Sequence, residues 1–365
     1  GVIYYDGQFD DARLAVNMAQ TAAEQSGTLI NYMKVTRLRK ENNIISGVKA
    51  KDMETGTEYD IPAKGVINAT GVFTDAVLKM DEPDTEGMIM PSQGIHIVLD
   101  KSFLPGDSAI MVPHTADGRV LFATPWHDKV VVGTTDTLVN DISLEPRAME
   151  EEIEFLLTHA THYLTKDPSP GDVLSIFAGL RPLVSEGSDG NTAAISRDHT
   201  IHISRSGLVT ITGGKWTTCR KMAEDTIDQA ATVAQLPDSP SVSADLHIHG
   251  FHKNIDKFDD LAVYGSDAQS IIDLMHENDA YQEKLHHRLT TVAAEVVYAV
   301  RREMARTVED FLSRRTRALL LDARASMEMA PKVAELMARE LKKDDAWAAN
   351  QIHQYRQLAS GYLIK

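Results

Sequence analysis

Three cationic or titratable side chains in this sequence stand in settings that call for a chemical reason. Arg181 lies in Phe177-Ala178-Gly179-Leu180-Arg181-Pro182-Leu183, hemmed by apolar residues and fixed by a proline. A planar fork of donors in such a place suits a phosphate or a carboxylate. The competing reading is a buried structural ion pair. His96 sits inside the apolar run Ile95-His96-Ile97-Val98-Leu99. It is either a satisfied core histidine or a proton acceptor from an alcohol. Lys215 follows two glycines in Thr212-Gly213-Gly214-Lys215-Trp216-Thr217-Thr218, just before a helical pattern. Backbone N–H groups at such a helix start face an anion, and the lysine adds charge. The plainer alternative is a left-handed corner with a solvated lysine. A second corner, Ile67-Asn68-Ala69-Thr70-Gly71, ends a strand of buried type. Its small residues let backbone approach a pyrophosphate or ribose, or simply close a tight turn.

The elements that must carry these residues follow from pattern. Gly1 to Asp6 reads as a strand already under way. Asp10 is an N-cap, and Leu14, Met18 and Ala22 recur at a spacing of four, so a helix over 10–26 should bury that stripe. A meander follows, with strands over 28–39 and 44–53 and a turn at Glu41-Asn42-Asn43. From Met88 to Thr212 the chain is strand-rich, interrupted by one helix over 146–164. A strand enters the Gly213-Gly214 corner, and a helix over 217–234 leaves it. Pro237 to Ala244 is a Ser/Pro-rich linker. Beyond it helix formers dominate, and Thr307 with Asp310 opens a capping-box-like helix over 308–321.

Composition narrows the function. The chain has 365 residues, 37 basic against 53 acidic, for a net charge of −16. Such an excess gives no long-range attraction to a polyanion, so nucleic acid is excluded as a partner of the whole chain. Cys219 is the single cysteine, which precludes an internal disulfide and fits a reducing compartment. No apolar run approaches the ~18–20 residues of a membrane-spanning helix. The arginines 301, 302, 306, 314, 315, 317 and 324 form a basic cluster. They face anionic lipid or a partner, or they pair with Glu295, Glu303, Glu309 and Asp310; the second is the preferred reading.

The chain resembles the FAD-dependent glycerol-3-phosphate dehydrogenases along nearly its whole length. The matching segments, in order, are Tyr4-Tyr5-Asp6 with Asp10-Asp11-Ala12-Arg13-Leu14, Val66 to Gly71, Pro91 to His96, Gly133-Thr134-Thr135-Asp136-Thr137, Gly179 to Leu183, Ser196-Arg197-Asp198-His199 and Ile211 to Thr218. The tail matches through Glu295 to Val300, Glu303 to Thr307 and Arg314 to Ala318. The resemblance implies an α/β (α+β) fold: an incomplete, glutathione-reductase-like FAD-binding domain, a mixed and largely antiparallel substrate sheet, and an all-α C-terminal domain. It divides the chain at 1–87, 88–206, 207–236 and 245–365. It implies oxidation of glycerol 3-phosphate to dihydroxyacetone phosphate with hydride transfer to FAD. Electrons would then pass to a quinone, or to oxygen in the oxidase branch. The implied location is cytoplasmic and peripheral on the inner membrane, and no metal is called for.

By the same resemblance His96, Arg181 and Lys215 line substrate and flavin, with Gly213, Gly214 and Thr217 beside the flavin ring. Ala69, Thr70 and Gly71 lie near its diphosphate-ribose end, and Val35 meets the adenine by backbone. The sequence departs from the family pattern at Gln93, where a basic residue is common, and at Trp216, where leucine is frequent. The G-x-G-x-x-G fingerprint is absent from all 365 residues. The expectation is therefore a piece of a longer protein, without FAD or activity by itself, with an exposed sheet edge that favours self-association.

Overall fold

The computed structural model describes residues 1–113, 115, 120–184 and 198–364. Ser196 and Arg197, quoted above, lie outside them. Helix α1 (Asp11–Glu24) starts where Asp10 caps it, the carboxylate accepting from Arg13 N at 2.8 Å. Strands β1 (Met33–Glu41), β2 (Ile44–Asp52) and β3 (Glu58–Pro62) form an antiparallel meander. Its first hairpin turns through Asn42 and Asn43, both left-handed, the conformation that asparagine tolerates best after glycine.

The largest sheet has the order β10-β5-β8-β7-β6. It contains β5 (Ile89–Asp100), β6 (Ile110–Val112), β7 (Leu121–Trp126), β8 (Lys129–Gly133) and β10 (Ser175–Val184), with β9 (Thr137–Leu138) pairing β5. Its strand pairings among the described residues are antiparallel, matching the expected sheet. Ile95, Ile97 and Leu99 alternate onto one face, where they pack with Val130, Val132 and with Leu156 and Ala160 of α3 (Glu150–Ala160). A third sheet runs β11-β12-β4, from β11 (His199–Ile203), β12 (Leu208–Gly213) and β4 (Val66–Asn68). Strands β12 and β4 are parallel, and α2 (Thr74–Asp81) and α4 (Cys219–Val233) follow the corners of β4 and β12.

The last third is helical: α5 (Ala268–Glu277), α6 (Ala293–Arg302), α7 (Ala318–Leu321), α8 (Ala323–Leu341) and α9 (Asp345–Ser360). Its core joins Val296 and Ala299 of α6 to Met329, Val333 and Met337 of α8 and Tyr355 of α9.

Three expectations need correction. Gly1 to Asp6 forms no strand; Val2 and Ile3 are each 90% exposed. In α1 the buried stripe is Arg13, Asn17 and Thr21, while Leu14 and Met18 are half-buried and Ala22 exposed. The polar face is inward because it has partners there. Arg13 pairs with Glu303 and lies 4.3 Å from the Tyr264 ring centre, and Thr21 Oγ1 accepts from His249 N at 2.8 Å. The helix expected over 308–321 is interrupted. The capping box forms, Asp310 accepting from Thr307 N at 3.1 Å and Thr307 Oγ1 from Asp310 N at 3.0 Å. The turn over Asp310–Arg315 is then π-helical, and Arg317 is left-handed at φ 59°. Arg315 donates to the Glu303 carbonyl at 2.6 Å and Arg317 pairs with Asp10 and Asp11, so the break aims both at neighbouring elements.

Within the basic cluster, the expected carboxylate partners are met by Arg314 alone among the ion pairs of the described residues, and Arg301, Arg306 and Arg317 pair with other carboxylates. Arg314 pairs with Glu309 and Asp310, Arg301 with Glu340 and Arg306 with Glu54.

Candidate functional site

One face of the large sheet carries Ser92, Gly94 and His96 on β5, since alternate residues share a face. On β10 the residues opposite them are Arg181, Gly179 and Phe177 respectively. On the other side of β5, Gly133 of β8 faces His96. His96 thus stands between a ring and a bare backbone. Phe177 stacks on it with ring centres 5.3 Å apart and planes 16° from parallel. A Cβ on Gly133 would meet the imidazole. Arg181 extends over Gly94, where a Cβ would lie 2.7 Å from its Nη1 and 2.7 Å from Thr134 Oγ1. The two glycines are the space in which imidazole and guanidinium lie.

The strand-end loop after β8 receives the guanidinium. Arg181 Nη2 donates to Thr134 Oγ1 at 3.1 Å and to the Thr135 carbonyl at 3.2 Å. Nη1 is 3.7 Å from Asp136 Oδ1, and Ser92 Oγ donates to that same carboxylate. Burial, reinforced by the Arg181 charge, pushes the His96 midpoint down to about 4. At neutral pH the imidazole is uncharged and keeps a lone pair for a proton.

The glycine corner lies at the far end of β12. Gly213 and Gly214 are left-handed, φ 73° and 70°, which a residue with Cβ adopts at a cost. Lys215 precedes the short turn Trp216–Thr218, where Lys215 N donates to Thr218 Oγ1 at 3.2 Å. A groove of ≈ 510 Å³ runs beside this corner, between Ile67, Ala69, Ile211, Gly213 and Lys215 and the face of α4 that includes Met222. Its lining is largely apolar, with the Lys215 ammonium as its cationic group. Pro182, the residue after Arg181, also lines it, and Val184 lies where a Cβ on Gly213 would come within 3.0 Å. Strand β10 therefore joins the His96–Arg181 face to the corner.

The structure brings His96 and Arg181 onto one face, and Gly213, Gly214, Lys215 and Ala69 into one groove. Thr70 and Gly71 turn away at the neighbouring corner; Thr70 Oγ1 donates to Asn68 Oδ1 at 2.7 Å. Thr217 is exposed in the turn after Lys215. Val35 stands in the meander, half-buried opposite Ala50. The sequence reading passed over Gly94, Gly133 and Thr134 as site-forming residues. The available signal was glycine inside strand patterns, which marks close approach of another group.

Comparison with known proteins settles the kinship. Residues 1–220 match the family model described as FAD dependent oxidoreductase. The chain belongs to this family. Residues 209–348 match the model for the C-terminal domain of alpha-glycerophosphate oxidase. Its homologues are glycerol-3-phosphate dehydrogenases. The mitochondrial enzyme of Bos taurus is 39% identical over 373 residues, covering 94% of this chain and 51% of its own length. That of Homo sapiens is 38% identical, covering 97% and 52%. The chain thus spans about half the length of these relatives. The solved glycerol-3-phosphate dehydrogenase of Bacillus halodurans, complexed with FAD, superposes with a TM-score of 0.84 at 28% identity, covering 97% of this chain and 73% of that one. Among the described residues no helix is long and apolar enough to cross a membrane.

Proposed function

We propose that this chain supplies the substrate face and part of the flavin face of an enzyme that oxidises glycerol 3-phosphate to dihydroxyacetone phosphate and passes the electrons to a quinone. The observation that carries the reading is the His96–Arg181 face, joined through β10 to the Gly213-Gly214-Lys215 corner. The Arg181 fork holds the phosphate or the reacting oxygen. His96, uncharged at neutral pH, takes the hydroxyl proton. Lys215 and the N–H groups of the turn after it favour negative charge at the corner. FAD, when bound, supplies the hydride acceptor. Gly213, Gly214 and Thr217 flank its ring in this proposal, Ala69, Thr70 and Gly71 its diphosphate-ribose end, and Val35 its adenine. A peripheral place on the inner membrane, facing the cytoplasm, belongs to the same proposal.

The test is Arg181→Ala in the complete enzyme. Loss of a charged hydrogen-bond partner should lower catalytic efficiency by the equivalent of on the order of 2–5 kcal/mol. Unchanged efficiency would overturn the assignment. Oxygen as the acceptor is the second reading, favoured by the oxidase-domain match over residues 209–348. Oxygen consumption that outpaces quinone reduction would select it.

The 365-residue polypeptide alone is proposed to retain no FAD and to turn over no substrate. A pyrophosphate is ordinarily held at a helix N-terminus behind the glycine fingerprint, and no such fingerprint occurs in these residues. Near-stoichiometric flavin absorbance in a preparation of this polypeptide would overturn that.

A further inference from the structure

We propose that Glu152 is a positioning residue that sets Arg181 against His96 from behind the 133–137 loop. The inference deepens the proposed function and rests on Arg181 as the anion anchor. Glu152 lies in the first turn of α3 and is 1% exposed. Its carboxylate accepts from four donors. Thr135 Oγ1 and Thr137 Oγ1 donate to Oε1 at 2.8 and 2.9 Å. Gln93 Nε2 and Met149 N donate to Oε2 at 2.8 and 3.1 Å. About four lone-pair sites exist on a carboxylate, so this one is saturated.

The Met149 contact is an ordinary helix cap and needs one oxygen. The other three donors lie outside α3, in the two segments that shape the site. Gln93 adjoins Gly94, over which the guanidinium lies. Thr135 and Thr137 flank Asp136. Because the Thr135 hydroxyl gives its hydrogen to Glu152, its lone pairs face outward and accept from Ile95 N at 3.0 Å, one residue before His96. The carbonyl of Thr135 takes the Arg181 guanidinium. From Glu152 to Arg181 the path is a single residue, Thr135. A side chain that holds both the receiving loop and β5 fixes the geometry of the pair without touching either member.

The readout is the titration of the His96 imidazole, followed by NMR on the 365-residue chain and assigned with a His96→Asn variant. In Glu152→Gln the amide presents N–H groups to donors, so the loop loosens and Arg181 withdraws from His96. Removing a nearby positive charge favours the imidazolium, and the His96 midpoint should rise by about one pH unit. Loss of the Glu152 charge alone would move it the opposite way, and because burial is the larger cause of the low midpoint, the rise is credited to Arg181 only if Glu152→Gln adds none in an Arg181→Gln background. Thr135→Ser keeps the hydroxyl and should leave the midpoint in place. A folded Glu152→Gln chain with an unchanged or lowered midpoint, and only a reduced melting temperature, would overturn the proposal. If that variant does not fold, Thr137→Val removes one donor without changing charge. A smaller rise then supports the proposal, and none overturns it. The midpoint and its dependence on Arg181 can be read whether or not the complete enzyme oxidises glycerol 3-phosphate, so the two readings fail separately.

Discussion

Gly133 lies where a Cβ would stand 2.6 Å from Nε2 of His96, closer than real side chains approach. The imidazole occupies the position that glycine leaves vacant, and Phe177 closes its other side. Gly133→Ala should therefore push the ring off its stack. In the complete enzyme a displacement near 1 Å costs catalytic efficiency about 100-fold. Steady-state kinetics on the folded variant check this, and a loss below about threefold would show that His96 has no exacting placement.

Arg13 and Glu303 join the first helix to the end of α6 through an ion pair whose side chains are 6% and 0% exposed. Burial works against the Arg13 charge, and Glu303, with Tyr264 and Asp10, together more than overcome it, holding the guanidinium protonated. Removing one member leaves the other charged and dry. Glu303→Ala should destabilise the chain by about 3–5 kcal/mol. Urea unfolding measures it, and a cost below about 1 kcal/mol would mean that water reaches Arg13.

His249 bridges two carboxylates, Nδ1 lying 2.7 Å from Glu24 Oε1 and Nε2 2.7 Å from Asp267 Oδ2. Both ring nitrogens must donate, so the bridge is an imidazolium. Burial alone would lower its midpoint; Glu24 at the end of α1 and Asp267 before α5 outweigh this and raise it. Asp267 also faces the Tyr298 hydroxyl. A raised folded midpoint gives stability that is complete below the unfolded value of about 6.5 and is lost as pH rises through the folded one. The melting temperatures of the parent chain and His249→Gln should differ most near pH 6 and converge toward pH 9. A gap that widens with pH would contradict the bridge.

How far the sequence could be read differs between local and non-local features. The Asn42-Asn43 turn, the glycine corner before α4 and the Asp310 capping box are short-range, and their residues declare them. The neighbours of His96 and Arg181 are not. His96 and Gly133 are 37 positions apart and meet only through the β5–β8 register, which no single segment encodes. The facing of α1 was misread for a related reason. Leu14, Met18 and Ala22 form a respectable apolar stripe, but Arg13 and Thr21 have buried partners some 290 and 228 residues away. Helix periodicity ranks faces by polarity and cannot see a distant carboxylate.

Glu295 is enclosed by Val292 N, donating at 2.6 Å, and the Tyr264 hydroxyl, donating at 2.9 Å. Burial, outweighing those bonds and the Arg13 charge, pushes its midpoint up to about 7. Below about pH 4.3 both states are protonated. Between there and about 7 the folded chain keeps a proton that the unfolded chain has lost, so stability falls as pH rises. Glu295→Gln should flatten that fall, most visibly when urea midpoints at pH 5 and pH 8 are compared. A variant that loses more stability at pH 8 than at pH 5 would show that the ionised carboxylate is the favoured form.

Strand β10 carries Arg181 on the His96 side and, at Pro182 and Val184, touches the groove and the Gly213 corner. The separation of the two surfaces is thus measured out in covalent units, at about 3.3 Å per residue. Two surfaces carried on separate layers could change their spacing by sliding. Here the gauge is a continuous backbone paired along its whole length to β5. Substitutions between 181 and 184 are then tolerable in proportion to their fit, whereas a one-residue insertion or deletion shifts the frame of both surfaces at once. Natural length variation in this protein should spare that stretch.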